Sequence, residues 1–445
     1  MKVERDDRVD RVGRVGRVDM MQIVADFHLH SKYSRATSNN MSIEGLAKGA
    51  KVKGLQLLGT GDFTHPLWLK EIKQKLAASE AEGLFTYENI FFMLTGEVAT
   101  IFTYEGRTKK VHHVIHVPSF EIAEQINEAL EKYGNLKSDG RPMLTVPAPE
   151  LVEKIMEISE QIMITAAHIW TPWFSLFGSK SGFNKIEDCY GDQTKNIFSL
   201  ETGLSSDPAM NWRLSALDKF TLLSNSDSHS PYPWRLGREA NVFDLNKVTY
   251  KEIFDAIKQR DKKRFLFTIE VEPSYGKYHF DGHRACGIVL TPTEAKKFGN
   301  ICPICHRPLT VGVLHRVDEL ADRPEGFVPN NSIPFKSLLP LYEIISAANN
   351  VNQLYSQKVV DEQNKILEKF GNEFNILLNV SKDELAKATS EKIAAAIVAV
   401  REGKVKYVAG YDGVYGRPVF SDEEFEKIEK QHRARAREQK SLKDF

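Results

Sequence analysis

The sequence has few cysteines, no long apolar run and no excess of charge of either sign. Four cysteines among 445 residues do not make a disulfide framework, which argues against a small secreted scaffold. The longest strongly apolar helical run, 393–400, is far shorter than the roughly 20 residues that a membrane span requires. Lys+Arg and Asp+Glu both number 60, which excludes a strongly basic coat protein and an acidic solvating tail. With no secretory signal visible, these absences predict a soluble cytoplasmic protein.

Composition and hydrophobic periodicity divide the chain into five segments. The first segment repeats short charged motifs such as RVGRVG. It is expected to be disordered, or to be read-through upstream of a start near Met20 or Met21. The predicted segments are a low-complexity extension at 1–20, a β/α barrel at 21–265, a zinc-binding unit at 266–332, a helical domain at 333–420 and a charged tail at 421–445.

Seven β-rich runs, separated mostly by helical stretches, predict an α/β fold built on a parallel sheet or barrel. Seven strands in about 210 residues fit a distorted TIM-like barrel better than two open sheets. The runs are 23–30, 55–62, 90–97, 110–117, 162–168, 197–203 and 221–227.

Histidines and carboxylates stand at the C-terminal end of nearly every predicted strand. In a β/α barrel these ends converge on one mouth, where catalytic groups collect. Imidazole and carboxylate are ligands for Zn²⁺ and Mn²⁺, and a carboxylate can bridge two ions, so the pattern predicts a metal centre. The residues are His28, His30, Asp62 with His65, Glu97, the group His112, His113 and His116, His168, Glu201, Asp227 and His229.

Spacing along the strands indicates which of these side chains can act together. Residues two apart on a strand point to the same side, so the HLH motif at 28–30 can grip one ion. Asp227 and His229 repeat this spacing at the last strand. His112 and His113 point to opposite sides of their strand, and both remain candidate ligands because the sequence does not show which one enters the barrel.

A second constellation of ligand residues follows the barrel. Two pairs of ligand residues, each pair separated by two residues, predict a structural zinc site with four tetrahedral ligands. A nucleophilic cysteine is a weaker interpretation because three of the four cysteines cluster here, whereas Cys189 stands alone. The predicted zinc ligands are His283, Cys286, Cys302 and Cys305, with His279 and His306 as alternatives to His283.

The barrel motifs resemble those of the PHP (polymerase and histidinol phosphatase) superfamily. They are HLH at 28–30, GTGDFTH at 59–65, TGEV at 95–98, the HHVIH strand, AAH at 166–168 and SDSH at 226–229. The resemblance implies a distorted seven-stranded β/α barrel with a trinuclear metal centre that hydrolyses phosphate esters. This family usually joins Asp and His in the second motif, whereas here Asp62 and His65 are separated, which leaves the role of His65 open.

Carried over position by position, the resemblance implies one set of metal ligands and, within it, a first pair of ions. That pair would be held by the residues expected to be catalytic: His28, His30, Glu97 and Asp227. The full set is His28, His30, Asp62, Glu97, one of His112 and His113, His168, Asp227 and His229.

Three later segments narrow the resemblance to the endonuclease Q family, over about residues 23–420. They are EVEPSYGKYHFDGHRACGI, CPICHRPLTVGVLHRVDELADRP and VREGKVKYVAGYDGVYGRPVF. The resemblance implies a DNA-repair endonuclease that cleaves 5′ to uracil, hypoxanthine, xanthine and abasic sites, and we expect a 3′-hydroxyl and a 5′-phosphate as products.

The same resemblance implies the cofactors and partners of the chain. They are Zn²⁺ in the structural site, Zn²⁺, Mg²⁺ or Mn²⁺ in the catalytic centre, and damaged double- or single-stranded DNA in the nucleoid. The replication sliding clamp is a further candidate partner, although no clear clamp-binding box is present. Because the chain has no G-x-x-x-x-G-K-[ST] loop, no nucleotide cofactor is expected.

The aromatic loop IWTPWFSLFGSKSGFNK at 169–185 follows the fifth strand and is our candidate for stacking on a flipped base. The alternative is a lid that packs on the barrel without touching DNA. Predicted substrate-binding residues are Trp170, Trp173, Ser181, Phe183, Asn184 and Arg235. Predicted phosphate contacts are Lys180, Lys185, Arg235, Arg238, Lys296, Lys297, Arg307, Arg316 and the basic segment 433–440.

A competing hypothesis is a PHP-type phosphomonoesterase that acts on a small molecule such as histidinol phosphate. It explains the barrel equally well. It does not explain the zinc-binding unit and the helical domain, which a small substrate does not require.

Overall fold

A computed structural model describes residues 21–351, 356–428 and 430. The predicted extension at 1–20 and the basic segment 433–440 lie outside the described residues. No helix within the described part of the chain is long and apolar enough to cross a membrane.

Strands occur throughout the first 340 residues and again near the end of the chain. They are β1 Met21–Asp26, β2 Leu57–Gly59, β3 Ala77–Ala78, β4 Phe85–Tyr87, β5 Ile90–Tyr104, β6 Arg107–Val117, β7 Met143–Leu144, β8 Met163–Ala166, β9 Ser199–Glu201, β10 Thr221–Leu223, β11 Ala240–Leu245, β12 Phe265–Glu270, β13 Asp281–His283, β14 Ile288–Leu290, β15 Phe335–Ser337, β16 Lys406–Val408 and β17 Arg417–Val419.

Helices fall between the strands and dominate after residue 340. They are α1 Ile43–Lys53, α2 Pro66–Lys75, α3 Phe120–Leu130, α4 Ala148–Met156, α5 Ile186–Tyr190, α6 Pro208–Asn211, α7 Tyr250–Gln259, α8 Pro292–Lys297, α9 Val313–Leu320, α10 Leu341–Ala348, α11 Gln357–Phe370, α12 Glu373–Leu378, α13 Lys382–Ala386 and α14 Glu391–Arg401.

One large mixed sheet carries the fold, in the order β10-β9-β8-β6-β5-β2-β1-β11-β12-β15. Each of the seven predicted runs overlaps one of its strands. A bridge between Leu29 and Ser228 sets the chain after β1 beside the chain after β10, so the sheet curls round on itself. The predicted α/β class with a curled sheet is confirmed, whereas the count of seven barrel strands stays a prediction.

The predicted parallel pairing does not hold at β6, which pairs antiparallel with both β5 and β8. Only Glu105 and Gly106 join β5 to β6, and both have positive φ, at 48° and 73°. A two-residue turn of this kind makes a hairpin, because a parallel connection needs a crossover of a dozen residues or more. The histidines of β6 therefore lie along the strand beside the middle of β5 rather than at a converging C-terminal end.

Local sequence signals explain how α1 returns the chain from β1 to β2. The Ser42 side chain caps the first turn by accepting from the Gly45 N–H at 3.2 Å. Gly54 ends the helix in the left-handed region at φ 95°, which glycine adopts without a steric penalty. This places the strand ends that carry polar residues at one end of the sheet.

The apolar core is shared between the barrel and the helices after residue 340. One cluster of buried side chains includes Leu46 and Trp68 from the barrel and Tyr342, Ile366 and Ile397 from the later helices. A separate small cluster, which includes Ile288, Leu290 and Leu309, lies under the hairpin of β13 and β14. The predicted zinc-binding unit therefore has very little apolar core of its own.

Candidate metal centre

His28 and His30 follow β1, and both rings are buried. Nδ1 of His28 lies 3.0 Å from both carboxylate oxygens of Glu201, and Nδ1 of His30 lies 3.0 Å from Oδ1 of Asp62. A carboxylate at one ring nitrogen fixes the tautomer and directs the other nitrogen toward a metal. Both Nε2 atoms accordingly point toward Glu97, at 3.4 and 3.3 Å from its Oε2.

Glu97, in the middle of β5, connects two groups of imidazoles. Its Oε1 lies 2.6 Å from Nδ1 of His112 and 3.1 Å from Nε2 of His168. Its Oε2 faces the first two histidines and also lies 3.2 Å from a guanidinium nitrogen of Arg141. Burial raises the pKa of this carboxyl, but the neighbouring His112, His28 and Arg141 charges outweigh burial and hold it well below its usual range.

Two overlapping sets of potential metal ligands result, and Glu97 belongs to both. Within each set all ligand atoms lie within 4.8 Å of one another. Imidazole nitrogens and carboxylate oxygens in this arrangement suit Zn²⁺ or Mn²⁺. The sets are His28, His30, Glu97 and Asp227, and Glu97, His112 and His168.

One buried atom tests whether these residues fit a cation. Nε2 of His28 has no hydrogen-bond partner among the described residues. A buried polar nitrogen without a partner costs about 1–3 kcal/mol. A metal ion bound between the imidazoles would satisfy this nitrogen, so the donor set fits a divalent metal.

The backbone is strained at three of the predicted ligands. Asp62, His168 and Asp227 have positive φ angles of 49°, 31° and 47°. Non-glycine residues in this region cost of order 1–3 kcal/mol and cluster at functional sites. Two of the three, His168 and Asp227, belong to the ligand sets.

The structure places Asp62 behind His30 and outside both ligand sets. Its Oδ2 accepts from the Ser31 N–H at 2.6 Å and from the Ser34 hydroxyl at 2.8 Å. His65 is further away, with its ring stacked on Tyr33 at a centroid distance of 4.7 Å.

The sequence did not show which of His112 and His113 enters the barrel, and the pleat of β6 directs them to opposite faces of the sheet. His112 joins Glu97, whereas His113 lies on the other face, with Nε2 2.9 Å from the Thr100 hydroxyl and Nδ1 2.9 Å from the Tyr190 hydroxyl. Burial, with repulsion from His112, lowers the pKa of His113 to about 3.

His229 lies at the rim of the centre. Its ring packs 4.4 Å from that of His30, and its Nδ1 lies 3.0 Å from the carbonyl oxygen of Asp227. Its side chain is 31% exposed, so it could reach a ligand in the mouth.

Two residues at the centre were missed or left without a role by sequence reasoning. Arg141 lies in the SDGRP loop, away from every predicted strand end, so no positional signal marked it. Glu201 was recognised as a strand-end carboxylate, but its contact with His28 depends on packing between distant strands. In the sequence, the only signal for this contact was that Glu201 ends a predicted strand and so lies near the other strand ends.

The second predicted constellation also comes together in space. The ligand atoms of the four residues lie within 4.8 Å of one another, with Sγ of Cys305 3.3 Å from Nδ1 of His283. The β13–β14 hairpin supplies His283 and Cys286, and the loop after α8 supplies the other two cysteines. This geometry supports a zinc site with His283 as the nitrogen ligand.

The aromatic loop divides into buried and exposed parts. Trp170 is 1% exposed and donates from Nε1 to Asn211 at 2.8 Å, and Phe183 is 3% exposed beneath Lys109. Because both rings are packed in the core, they offer no free face to a base. Trp173 is 45% exposed. Of the three predicted aromatic contacts, it is therefore the one whose ring is still available to stack on a base.

The polar candidates of the loop have structural partners. The Ser181 hydroxyl accepts from the Phe174 N–H at 3.1 Å, and Oδ1 of Asn184 accepts from Arg316 at 2.5 Å. Arg235 is half-buried in the segment that follows the last ligand motif.

The fold and the centre together define a class, that of metal-dependent enzymes with the active site at strand ends. A crystal structure of the lesion-specific endonuclease PfuEndoQ from Pyrococcus furiosus is similar, with a TM-score of 0.82, 35% identity, and 91% of this chain and 96% of that chain covered. Endonuclease Q in complex with a 27-mer duplex bearing an abasic lesion matches with a TM-score of 0.81, 35% identity, and 91% and 98% covered. The chain therefore belongs to the endonuclease Q family, and its enzyme class is the metal-dependent endonucleases.

Two curated proteins without an established function are also similar. YqxK of Bacillus subtilis is 27% identical over 423 residues, which cover 89% of this chain and 99% of that protein. MJ0043 of Methanocaldococcus jannaschii is 33% identical over 264 residues, 59% of this chain, and the match spans about a third (32%) of that longer protein. The MJ0043 C-terminal domain family matches residues 340–404, which hold α10 to α14.

Proposed function

We propose that this chain is a metal-dependent DNA-repair endonuclease that hydrolyses the phosphodiester on the 5′ side of a damaged nucleotide. The proposed lesions are deaminated bases (uracil, hypoxanthine and xanthine) and abasic sites, and the proposed products carry a 3′-hydroxyl and a 5′-phosphate. The observation that carries the proposal is the buried carboxylate of Glu97, whose two oxygens face two different imidazole groups. Similarity along nearly the whole chain to lesion-specific endonuclease Q supports the substrate class.

The two ligand sets would hold the catalytic ions, with Glu97 bridging them. Divalent ions bound there would lower the pKa of water and neutralise charge on the phosphoryl oxygens and the leaving O3′. Glu201 and Asp62 orient the two histidines of the HLH motif, so that the donor atoms are held in place before substrate arrives. His229 is proposed to complete the set at its edge, whereas Asp62, predicted as a ligand, is proposed to act through His30.

Arg141 is proposed to contact the scissile phosphate. It lies beside Glu97, yet 27% of its side chain is exposed, which leaves donors facing the mouth. A guanidinium presents several N–H donors in a planar fork that matches phosphate oxygens. Arg141 is thus a phosphate-binding residue supplied by a loop and not by the sheet.

Recognition of the damaged nucleotide is proposed to involve the exposed ring of Trp173. A nucleotide must leave the stack to reach an enclosed centre, and this costs less when it is mispaired or damaged. Lys180 and Lys185 are exposed on the same loop and are proposed to contact phosphates. Arg238 was also predicted to contact phosphate, but it is buried and pairs with Glu343 at 3.1 Å, so it is not part of the proposed DNA surface.

The zinc-binding unit is proposed to have a structural role. Its small apolar cluster is insufficient for an independent fold, and a closed four-ligand site supplies the missing stability. From this unit Arg316 donates to the carbonyl oxygens of Phe177 and Phe183, both at 3.0 Å. The unit thereby holds the aromatic loop in place.

The phosphomonoesterase hypothesis is not favoured, because the similarity to endonuclease Q continues through the zinc-binding unit and the later helices. Nothing in the described residues or the comparisons supports binding to the sliding clamp. The dependence on ionic strength distinguishes the two enzyme hypotheses. DNA binding should weaken steeply as ionic strength rises, whereas turnover of a small monoester should change little.

The direct test uses end-labelled duplexes that carry uracil, hypoxanthine, an abasic site or no damage, incubated with Zn²⁺, Mg²⁺ or Mn²⁺. We expect a single cut 5′ to each lesion, no cut in the undamaged duplex, and loss of cutting in Asp227→Ala. The exposed Glu124→Gln variant is the matched control and should cut normally. Cleavage of undamaged DNA at the same rate, or retained turnover in Asp227→Ala, would contradict the proposal.

A further inference from the structure

A row of aromatic rings interleaved with a lysine crosses from the aromatic loop to the glycine-rich turn between β16 and β17. It is exposed at Trp173, Lys277 and Tyr415 and half-buried at Tyr275 and Tyr278. We call it the aromatic strip. Trp173 packs edge-on against Tyr278 at 5.7 Å, and Tyr275 lies 6.2 Å from Tyr415. Nζ of Lys277 joins the two pairs, at 5.5 Å from the Tyr278 ring and 5.8 Å from the Tyr415 ring. The strip consists of Trp173, Tyr275, Lys277, Tyr278 and Tyr415.

One end of the strip lies on the loop that follows the predicted ligand His168. The Thr171 hydroxyl lies 3.2 Å from Nδ1 of His168 and 3.0 Å from the carbonyl oxygen of Trp173. A strand bound along the strip would therefore lead toward the centre. Its two ends are open to solvent, since Trp173 is 45% and Tyr415 is 52% exposed.

Backbone hydrogen bonds hold the strip in a fixed shape. The N–H groups of Gly410, Gly413 and Gly416 donate to carbonyl oxygens of residues 274–277 at 2.8 to 3.0 Å. A β-carbon on Gly410 or Gly416 would collide with a carbonyl oxygen of the same segment. Glycine is required there because the two segments run in direct contact, and this contact presents Tyr415 beside Lys277.

The charge of the strip favours a polyanion. Lys277 is exposed, and among the described residues it has no carboxylate partner. Arg284, also exposed, lies beside Gly413. Asp412 is the nearest acid in the turn, and its two oxygens accept from the Arg284 N–H and the Thr310 hydroxyl.

We propose that the aromatic strip binds unpaired nucleotides of the DNA strand next to the lesion, with bases on the rings and phosphates near Lys277. This proposal rests on the proposed function and names the surface that holds the opened strand. Alternating aromatic and cationic groups are the means by which proteins bind single-stranded nucleic acid without reading its sequence.

The test measures binding of a fluorescent (dT)₁₂ oligonucleotide, which carries no lesion and is not expected to be cut, to protein that keeps its bound metals. Tyr415→Ala should weaken binding roughly five- to a hundredfold because one base–aromatic contact is lost, whereas Tyr415→Phe should bind as the wild type. Phe327→Ala, which removes an exposed ring away from the strip, is the matched control. Equal thermal stability of the variants separates lost binding from lost folding.

A second readout is specific to stacking. An abasic duplex with 2-aminopurine beside the lesion should lose fluorescence on binding to the wild type and to Tyr415→Phe, but not to Tyr415→Ala. On a cleavable duplex, Tyr415→Ala should raise KM with little change in kcat. If Tyr415→Ala binds (dT)₁₂ as tightly as the wild type, the strip proposal is wrong, even when the wild type cuts lesions. If Tyr415→Ala binds less tightly but the wild type cuts no lesion, only the proposed function is wrong.

Discussion

Glu97 and Glu201 show how two buried carboxylates near the same histidine take different roles. Glu97 faces the Nε2 side of His28 and belongs to both ligand sets, whereas Glu201 accepts on the Nδ1 side. Oε2 of Glu201 also accepts from the backbone N–H of His168 at 2.8 Å. Glu201 is therefore a positioning residue for both ligand sets.

Replacing Glu201 by Gln should weaken metal binding by about 10- to 100-fold, because the amide keeps the shape but loses the charge that orients His28. The measurement is calorimetric titration with Mn²⁺ or Zn²⁺, and excess metal should restore cleavage. Glu124→Gln serves as the exposed control. Wild-type affinity in Glu201→Gln would show that the contact does not orient the ligand.

Asp207 gives a prediction about stability and pH. Burial raises its pKa to about 6; N–H donors of the α6 first turn lower it, and the nearby Glu272 raises it. Since the folded state binds this proton more tightly than the unfolded state, the contribution of Asp207 is greatest below about pH 4 and is lost as pH rises to 6. Asp207→Asn should remove this loss, and so gain up to about 3 kcal/mol relative to wild type at pH 7.

The check is denaturant unfolding of both proteins between pH 4 and pH 7.5. Asparagine can still cap α6 through the bond that Asp207 accepts from Met210 at 2.8 Å. The difference between the two proteins should therefore grow with pH. A constant difference across this range would mean that Asp207 is ionised throughout.

Residue type and position were enough to predict the imidazoles and carboxylates that the structure gathers into two ligand sets. They were not enough for Arg141, which reaches the centre from a loop, or for Trp170, whose ring the fold buries. Strand ends have a fixed place in a barrel, so their residues can be located from sequence. Loop side chains depend on packing that only the folded chain defines.

At the scale of elements, the β13–β14 hairpin and the cysteine knuckle after it depend on each other through the proposed zinc. Cys302→Ser should lower the zinc content by about one ion per chain and lower the melting temperature, because a structural site contributes folding energy. Cys189→Ala, which removes a buried cysteine outside the predicted zinc site, should leave the zinc content unchanged. Elemental analysis and thermal unfolding measure both, and equal zinc in Cys302→Ser would contradict the ligand assignment.

The seven strand positions could be predicted because apolar β-rich runs are local signals. The direction of β6 could have been predicted as well, since no helical stretch separates 90–97 from 110–117. The strands that extend the sheet beyond β1, namely β11, β12 and β15, were not predicted. Their pairing partners lie far away in sequence, and the pattern of one strand does not show which edge it joins.

At the scale of the whole molecule, a buried ion pair fixes the later helices to the barrel. Nζ of Lys53 donates to Glu373 at 2.7 Å, and both side chains are at most 2% exposed. Lys53→Met should destabilise the protein by about 3–5 kcal/mol, because it leaves Glu373 buried without its partner. The exposed pair of Lys51 and Glu88 is the control, and Lys51→Met should change stability by less than about 1 kcal/mol.

Chemical denaturation of both variants measures this difference. Glu373 also accepts from the Leu341 N–H at 3.1 Å, so the pair ties α1 of the barrel to α10 and α12 of the last domain. Equal destabilisation by the two lysine substitutions would show that the buried pair does not stabilise this junction.

The separation of Lys53 and Glu373 by 320 residues has a consequence for synthesis on the ribosome. The barrel emerges first, with an ammonium group whose carboxylate partner has not yet been translated and an apolar surface that the later helices will cover. Until α12 leaves the exit tunnel, the nascent barrel can only be partly closed around Lys53, and its exposed patch is open to chaperones and to aggregation. Maturation of this chain is thus a late event, completed when the final helices dock.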